Sequence, residues 1–284
     1  MAGAGVEEPQ VLKSKEFFPA VFSRHAEAYL HRLDDIMARG ESRGRLRVIE
    51  LAEVRPGMRI IDLACGPGSL SRRLAQLAAP GGEVVGVDLA PGMIALARAQ
   101  HIKNTRFEVM DIERLTFEAG TFDAATCGHG LQFVPDLSLA LREARRVLKA
   151  GGRLAASVPA APVKDSVWKL LDTTIDHWLP PSPEIADQRP TRAVVADPSA
   201  FRAAAQGAGF TAVEVEVIEE TVHWRSAEHL VSMFMGWWDC AARLESVGSE
   251  RREAMKAEAI DELKRRYPGE IETVGRNLVL MAHA

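Results

Sequence analysis

The stretch Arg59-Ile60-Ile61-Asp62-Leu63-Ala64-Cys65-Gly66-Pro67-Gly68-Ser69-Leu70 constrains this chain more than any other. A short apolar run ends in a Gly-x-Gly turn, and a helix-like segment follows. That order predicts a buried strand, a tight loop and a helix N-terminus, which is how doubly wound α/β domains hold a nucleotide-like ligand. Downstream the pattern repeats. Ser69 to Ala78 reads as a helix, Glu83 to Val87 as a β-branched strand closing on Asp88, and Pro91 to Ala99 as a helix with Pro in its first turn. Arg106 to Met110 is a third strand closing on Asp111, and Phe122 to Cys127 a fourth, ending in Gly128-His129-Gly130. Leu137 to Leu148 is a helix and Arg153 to Val158 a fifth strand. Strands alternating with helices of this length imply right-handed βαβ units and a parallel sheet.

The flanks read differently. Apolar residues from Phe17 to Met37 recur at three- and four-residue steps, which predicts one or two amphipathic helices, and Arg45 to Val54 predicts a short third one. Val167 to Trp178, Phe201 to Ala208 and Arg251 to Arg266 are expected helices, and Leu230 to Ala242 is apolar and aromatic. Between the first two lie a Pro-rich loop and an irregular stretch up to Pro198. Thr211 to Val222 and Asn277 to His283 are expected strands. The expected organisation is an N-terminal helical lid at 1–50, a ligand-binding core at 51–160, and a segment at 161–284 that completes the sheet and carries inserted helices.

The 284 residues are 47% hydrophobic and carry a formal net charge of −4, so there is no basic footprint for nucleic acid and no polybasic membrane patch. The small, acidic first residues lack a signal-peptide pattern, and no apolar run is long enough to span a membrane, so the chain is expected in the cytoplasm. Cys65, Cys127 and Cys240 lie far apart and read as reduced core residues. The histidines are scattered, with no metal-ligand spacing.

The acids at the strand ends carry the chemistry. Gly66 and Gly68 let the backbone approach a ligand where a Cβ would clash. Asp62 can anchor the loop through backbone N–H groups or reach an ammonium. Asp88 suits a ribose diol. Asp111 can accept from the exocyclic amine of adenine, with Met93 and Ile112 sandwiching the ring. A dinucleotide fold asks for G-x-G-x-x-G, but Leu70 and Ser71 follow Gly68, and Asp62 beneath the loop would repel a pyrophosphate. A ligand with a cationic amine is favoured over one with phosphates.

Four motifs then carry a resemblance: Ile61-Asp62-Leu63-Ala64-Cys65-Gly66-Pro67-Gly68, Val85-Gly86-Val87-Asp88, Met110-Asp111-Ile112-Glu113 and Arg145-Arg146-Val147-Leu148-Lys149-Ala150-Gly151-Gly152. Over about 50–160 the chain resembles the class I S-adenosylmethionine-dependent methyltransferases. It is most similar to the small-molecule branch of the ubiquinone/menaquinone-biosynthesis C-methyltransferases. The resemblance implies a Rossmann-like seven-stranded sheet with helices on both faces and the last strand antiparallel. It implies S-adenosylmethionine as cofactor, held by Ala64, Gly66 and Gly68 at the methionyl part with Asp62 beneath. Asp88 and Leu89 would take the ribose and adenine face, Asp111 and Ile112 the adenine, and Gly128 and His129 would face the sulfonium and the acceptor. It also implies that the N-terminal helices form a lid over the cofactor.

The acceptor is expected to be a small apolar or aromatic metabolite methylated at O, C or N. His129 is the first candidate base, with hydrogen bonding to backbone or cofactor as the plainer role. His25 is a second candidate and Tyr29 a lid residue, both alternatively ordinary helix packing. Gln132 and Phe133 are expected in the pocket. Phe234, Trp237 and Trp238 are either pocket wall or inserted-helix core, and Trp168 and Trp178 share that ambiguity. A non-methylating reaction such as cyclisation on the same cofactor, and a nicotinamide-dependent oxidoreductase, are the alternatives. The exposed N-terminal helices offer a face on which two copies could pair.

Overall fold

A computed structural model describes residues 12–160 and 167–284. The expected reading of the first residues, and the start of the completing segment at 161, lie outside them. The chain begins with three helices, α1 (Ser14–Arg24), α2 (Ala26–Ala38) and α3 (Arg43–Leu51). The alternating core follows as β1 (Arg59–Leu63), α4 (Ser69–Ala78), β2 (Glu83–Asp88), α5 (Pro91–Ala99), β3 (Thr105–Val109), β4 (Phe122–Gly128), α6 (Leu137–Val147) and β5 (Leu148–Pro159). The remainder is α7 (Val167–Trp178), α8 (Arg189–Val195), α9 (Pro198–Gly207), β6 (Thr211–Trp224), α10 (Ala227–Met235), α11 (Trp238–Leu244), α12 (Ser249–Arg266) and β7 (Ile271–His283).

The strands form one seven-stranded sheet in the order β3-β2-β1-β4-β5-β7-β6. The first five are parallel and β7 is antiparallel to both neighbours. The order reverses between β1 and β4, so their C-terminal ends open the crevice where α/β sheets bind ligands. Buried aliphatic positions, among them Ile61, Val85, Ala125 and Leu154, make the strands apolar on both faces, as a helix-covered parallel sheet requires.

One face carries a polar row at this end. Ile60, Ala124, Ala155 and Val279 pack in the core beneath α3 and α4. Two residues on, along the ligand-binding direction of each strand, come Asp62, Thr126, Ser157 and Asn277, all buried. Asp62 pairs directly with Thr126, and from there the row steps two residues further along at each strand, Ser157 lying opposite Gly128 and Asn277 opposite Pro159.

Two expectations need correction. The stretch expected to be irregular contains α8, whose first turn starts with Arg189-Pro190, a favoured proline position. The apolar, aromatic stretch from Leu230 to Ala242 forms two helices broken at Gly236-Trp237. The last strand starts at Ile271, not Asn277, because β6 and β7 run past the sheet as a two-stranded arm, pairing from Glu219–Arg276 to Trp224–Ile271. Within the arm the Trp224 indole donates to Thr273 Oγ1 at 2.9 Å. Helices α7, α10, α11 and α12 wrap it in a second apolar core containing Leu171, Leu230, Met255 and Leu263. Cys65, Cys127 and Cys240 are free and buried, and burial pushes the Cys127 and Cys240 thiols up to about 12. Among the described residues no helix is long and apolar enough to cross a membrane.

Gly86 shows how tightly β2 must meet the loop after β1. A Cβ there would stand 2.6 Å from the Phe107 ring and 2.9 Å from Cys65 Sγ. Gly86→Ala should therefore lower stability by about 1–3 kcal/mol. Urea unfolding should show it as a lower midpoint with an unchanged slope.

Candidate active site

Asp62 sits in the centre of the sheet and is 1% exposed. Its Oδ2 accepts from Ser71 Oγ at 2.6 Å and its Oδ1 from Thr126 Oγ1 at 2.8 Å. The carboxylate thus ties β1 to the first turn of α4 and to β4. Burial raises its carboxyl to about 6. The two hydroxyls pull it back and the nearby Asp88 charge adds to the rise.

The loop above it turns through the left-handed region at Ala64 (φ 51°), Gly66 (φ 55°) and Gly68 (φ 87°). Gly66 N–H donates to Asp88 Oδ2 at 2.9 Å and Ala90 N–H to Oδ1 at 2.8 Å. Asp88 therefore stitches the loop after β1 to the loop after β2. Burial raises its carboxyl, against the pull of these two N–H groups. Gly68 faces the other way: a Cβ on it would meet the Phe107 ring at 3.0 Å.

These loops wall a cavity of about 120 Å³ at the C-terminal strand ends. One side is Ala64, Gly66, Asp88, Leu89 and Met93; the next is Met110, Asp111 and Ile112; the third is Gly128, His129, Gly130 and Phe133. Helices α1 and α2 close the top with Lys15, Phe18, Phe22 and Tyr29. Lys15 Nζ reaches Asp111 Oδ2 at 2.7 Å and also pairs with Glu113. Burial lowers the Lys15 ammonium, but hydrogen bonds to the two carboxylates outweigh it and the net shift is upward. The other end of α1 rests on α5, where Gly92 N–H donates to Ser23 Oγ at 3.0 Å and a Cβ on Gly92 would strike the Ser23 backbone. Phe133 meets Phe18 at 4.7 Å and Phe22 at 5.3 Å between ring centroids, so one wall is aromatic.

His129 follows β4 with φ 63°, left-handed backbone that a non-glycine residue adopts only at some cost. Its N–H donates to the Ser157 carbonyl at 2.9 Å. Its Nε2 is buried without a partner. Burial holds the imidazole well below its ordinary range, the Arg45 charge lowers it further, and the Asn277 side chain opposes them. The ring is therefore neutral at neutral pH.

The structure brings together Ala64, Gly66, Asp88, Leu89, Met93, Asp111, Ile112, Gly128, His129, Phe133 and Tyr29 around this cavity. Other expected residues lie elsewhere. Asp62 and Gly68 stand behind the loop, in supporting positions. His25 is outside: its Nε2 meets Glu245 Oε1 at 3.2 Å beside Arg24, which leaves no path to the cavity. Gln132 turns back onto the His129 carbonyl at 2.9 Å. Phe234 and Trp237 stack on Trp168 in the second core, with centroids at 6.0 and 4.6 Å, and so belong to the inserted-helix packing. Trp178 packs there too, its indole donating to Glu258. Trp238 backs Phe18 and Phe133 from outside the cavity. Lys15, Phe18, Phe22, Met110 and Gly130 were not foreseen. The i, i+4 spacing of Phe18 and Phe22, in line with Tyr29, was the available signal, but the same stripe also describes a packing face.

A broader groove of about 710 Å³ lies at the N-terminal ends of β4 and β5, among Arg145, Arg146 and Lys149. Those cations are engaged by the Gly209 carbonyl, Glu143 and Asp123, at the end of the sheet away from the loops. The chemistry belongs to the smaller cavity. Its polar points are carboxylates on an otherwise apolar wall. Asp88, half-buried on the wall, and Asp62, buried behind it, are acids raised by their surroundings, which suits a cationic ligand. Asp88 and Asp111 flanking Leu89, Met93 and Ile112 fit the diol, amine and ring of an adenine nucleoside.

A family model described as "Methyltransferase domain" matches residues 61–156. The ubiquinone/menaquinone biosynthesis C-methyltransferase UbiE of Ectopseudomonas mendocina is 33% identical over 180 residues, covering 61% of this chain and 68% of that protein. A demethylmenaquinone methyltransferase of Staphylococcus aureus is 34% identical over 163 residues, covering 55% and 67%. Among solved structures, a putative methyltransferase from Bacillus halodurans superposes with a TM-score of 0.54 at 19% identity, over 84% of this chain and 97% of that one. Nothing in these comparisons favours a cyclase or an oxidoreductase. The chain is an enzyme that uses S-adenosylmethionine to methylate a small molecule, and it belongs to the class I S-adenosylmethionine-dependent methyltransferases, in the branch of the ubiquinone/menaquinone-biosynthesis enzymes.

Proposed function

We propose that the acceptor is a small apolar or aromatic metabolite, seated against Phe18, Phe22 and Phe133 beside His129, with residues 12–50 acting as a lid. The observation that carries this reading is the single cavity wall on which an aromatic cluster meets a neutral imidazole whose Nε2 is unpartnered. The two relatives named above bear the names of ubiquinone/menaquinone and demethylmenaquinone chemistry, which accords with a ring-bearing acceptor. The net charge of −4 supports an enzyme with no nucleic-acid partner.

S-adenosylmethionine supplies an electrophilic methyl group on a sulfonium. In this reading Ala64 and Gly66 receive its methionyl part, Asp88 and Leu89 the ribose and adenine face, and Met93, Asp111 and Ile112 the adenine. Asp62 and Gly68 hold the loop in shape from behind. The aromatic wall excludes water and aligns the acceptor, which supplies most of the acceleration in a displacement of this kind. His129 accepts the acceptor's proton at Nε2 where the acceptor has one to lose. The test is a metabolite screen with methyl-labelled cofactor. Failure of the folded protein to bind S-adenosylmethionine at high micromolar concentration would sink the cofactor assignments. Transfer to polar acceptors alone would sink the aromatic wall.

The lid follows from size. A cavity of about 120 Å³ is well below the roughly 300 Å³ at which ligand pockets of drug size begin. Lys15 also holds the carboxylate assigned to adenine. Cofactor entry therefore displaces α1 and exchanges the Lys15 contact. Lys15→Ala should tighten S-adenosylhomocysteine about two- to fivefold, the worth of a partly exposed ion pair; calorimetry showing weaker binding would refute the exchange.

Asp62 gives a pH test. Its folded-state carboxyl stands at about 6, above an unfolded value of about 3.9. The ionised form thus costs stability at pH 7, and the cost fades as pH falls from about 6 toward 4. Asp62→Asn should be more stable than the parent by about 1–3 kcal/mol at pH 8, with the gain shrinking at pH 5. The same variant should bind S-adenosylmethionine about tenfold more weakly, because the loop loses its anchor. Urea unfolding at the two pH values, with calorimetry at pH 8, reads both effects.

A further inference from the structure

Behind Gly128 and His129 lies a group of polar atoms that nothing in the protein satisfies. Arg45 Nε, Asn277 Nδ2, Ser157 Oγ and His129 Nε2 are all buried without a hydrogen-bond partner. Ser157 and Asn277 are 0% and 2% exposed. An unmatched buried donor or acceptor bears its full desolvation cost, so a cluster of them in one place marks a site built for something else.

The sequence builds the cluster from three elements. Ser157 and Asn277 end the polar row on β5 and β7. Gly44, in the first turn of α3, lets the helix approach β7: a Cβ there would stand 2.7 Å from the Asn277 side chain. The next residue, Arg45, is thereby delivered to Gly128, where its Cγ would lie 3.6 Å from an added Cβ. The neighbouring carboxylate, Glu220, is spent on the Gly44 N–H at 3.2 Å. Arg45 Nη2 donates to Tyr29 Oη at 3.1 Å and Nη1 to Ser42 Oγ at 3.4 Å. Among the described residues Arg45 has no carboxylate partner. Its Nε and the second hydrogen of Nη2 form the edge that grips a carboxylate in bidentate fashion.

We propose that this niche receives a carboxylate of the methyl acceptor. Arg45 supplies the bidentate edge and Asn277 Nδ2 and Ser157 Oγ the further donors. One carboxylate accepts about four hydrogen bonds, which matches the donors left open here. His129 and the Gly128 backbone are the wall shared by cavity and niche. The Asn277 side chain is the contact that holds the His129 ring, so an anion that takes Asn277 as its donor frees the ring to turn aside, and the aromatic wall takes the rest of the acceptor. The acceptor is then an acid with an apolar or aromatic body. This inference rests on the acceptor reading above and narrows it.

The test uses benzoate and its uncharged counterpart benzyl alcohol, titrated into the protein loaded with S-adenosylhomocysteine. Benzoate should bind at least tenfold more tightly than benzyl alcohol. Arg45→Met should lose about tenfold in benzoate affinity and Asn277→Ala should lose affinity in the same direction, both with S-adenosylhomocysteine affinity unchanged. Arg45 is half-buried on an outer helix, so Arg45→Met serves alone if Asn277→Ala does not fold. Benzyl alcohol binding as well as benzoate, or Arg45→Met retaining the preference, overturns the niche while leaving the cofactor assignments intact. Failure of the parent to bind S-adenosylhomocysteine overturns both.

Discussion

A single buried carboxylate organises the ligand end of this sheet. Asp62 receives hydroxyls from α4 and β4, so three elements meet at one side chain. Water would solvate that charge far better than two hydroxyls do, and the raised carboxyl shows the cost. In return the loop from Ala64 to Gly68 is fixed in left-handed turns that present Gly66 N–H to Asp88. Asp88 then fixes the start of α5 through Ala90 N–H. The cavity wall is thus a chain of carboxylates, each holding the backbone that positions the next.

The alternating core was legible because its signals are local. Each strand is an apolar run closed by an acid or glycine, and each helix carries its own stop. The cavity wall followed, since Asp88, Asp111 and His129 sit at strand ends where the fold places ligands. What escaped depends on pairing across the chain. Lys15 reaches Asp111 and Glu113 over about 96 positions, and nothing near Lys15 announces its partners. Residues 271–276 look like a polar loop because the arm they form has one face in water. The aromatic stretch at 233–238 could be wall or core by composition alone. Trp168, arriving from α7, captures Phe234 and Trp237 for the second core. His25 was a plausible base by type, but Glu245 on the far side of α1 holds it.

The two covers of the cavity differ in kind. The sheet side is rigid: buried strands, paired carboxylates and close glycine contacts leave little to move. The helical side rests on a glycine contact at Gly92, an ion pair at Lys15 and aromatic edges. A part-exposed ion pair is worth little, and edge contacts between rings add modestly. Opening on that side costs least, which is where a ligand larger than the cavity has to enter.

Discrimination among acceptors follows from the same contrast. An apolar wall distinguishes related ligands poorly, since a methylene more or less changes binding by about 1–3 kcal/mol. Buried polar groups distinguish them sharply, because a ligand that leaves them unpaired bears their full desolvation cost. Phe18, Phe22 and Phe133 therefore set the general shape of what this enzyme accepts. Arg45, Asn277 and Ser157 are unsatisfied, buried and held by the sheet register, so they set its identity. In the proposed reading the loop at Asp62 takes the methyl donor, and the polar row that reaches β5, two strands away, takes the acceptor. Both are continuations of the same face of the sheet.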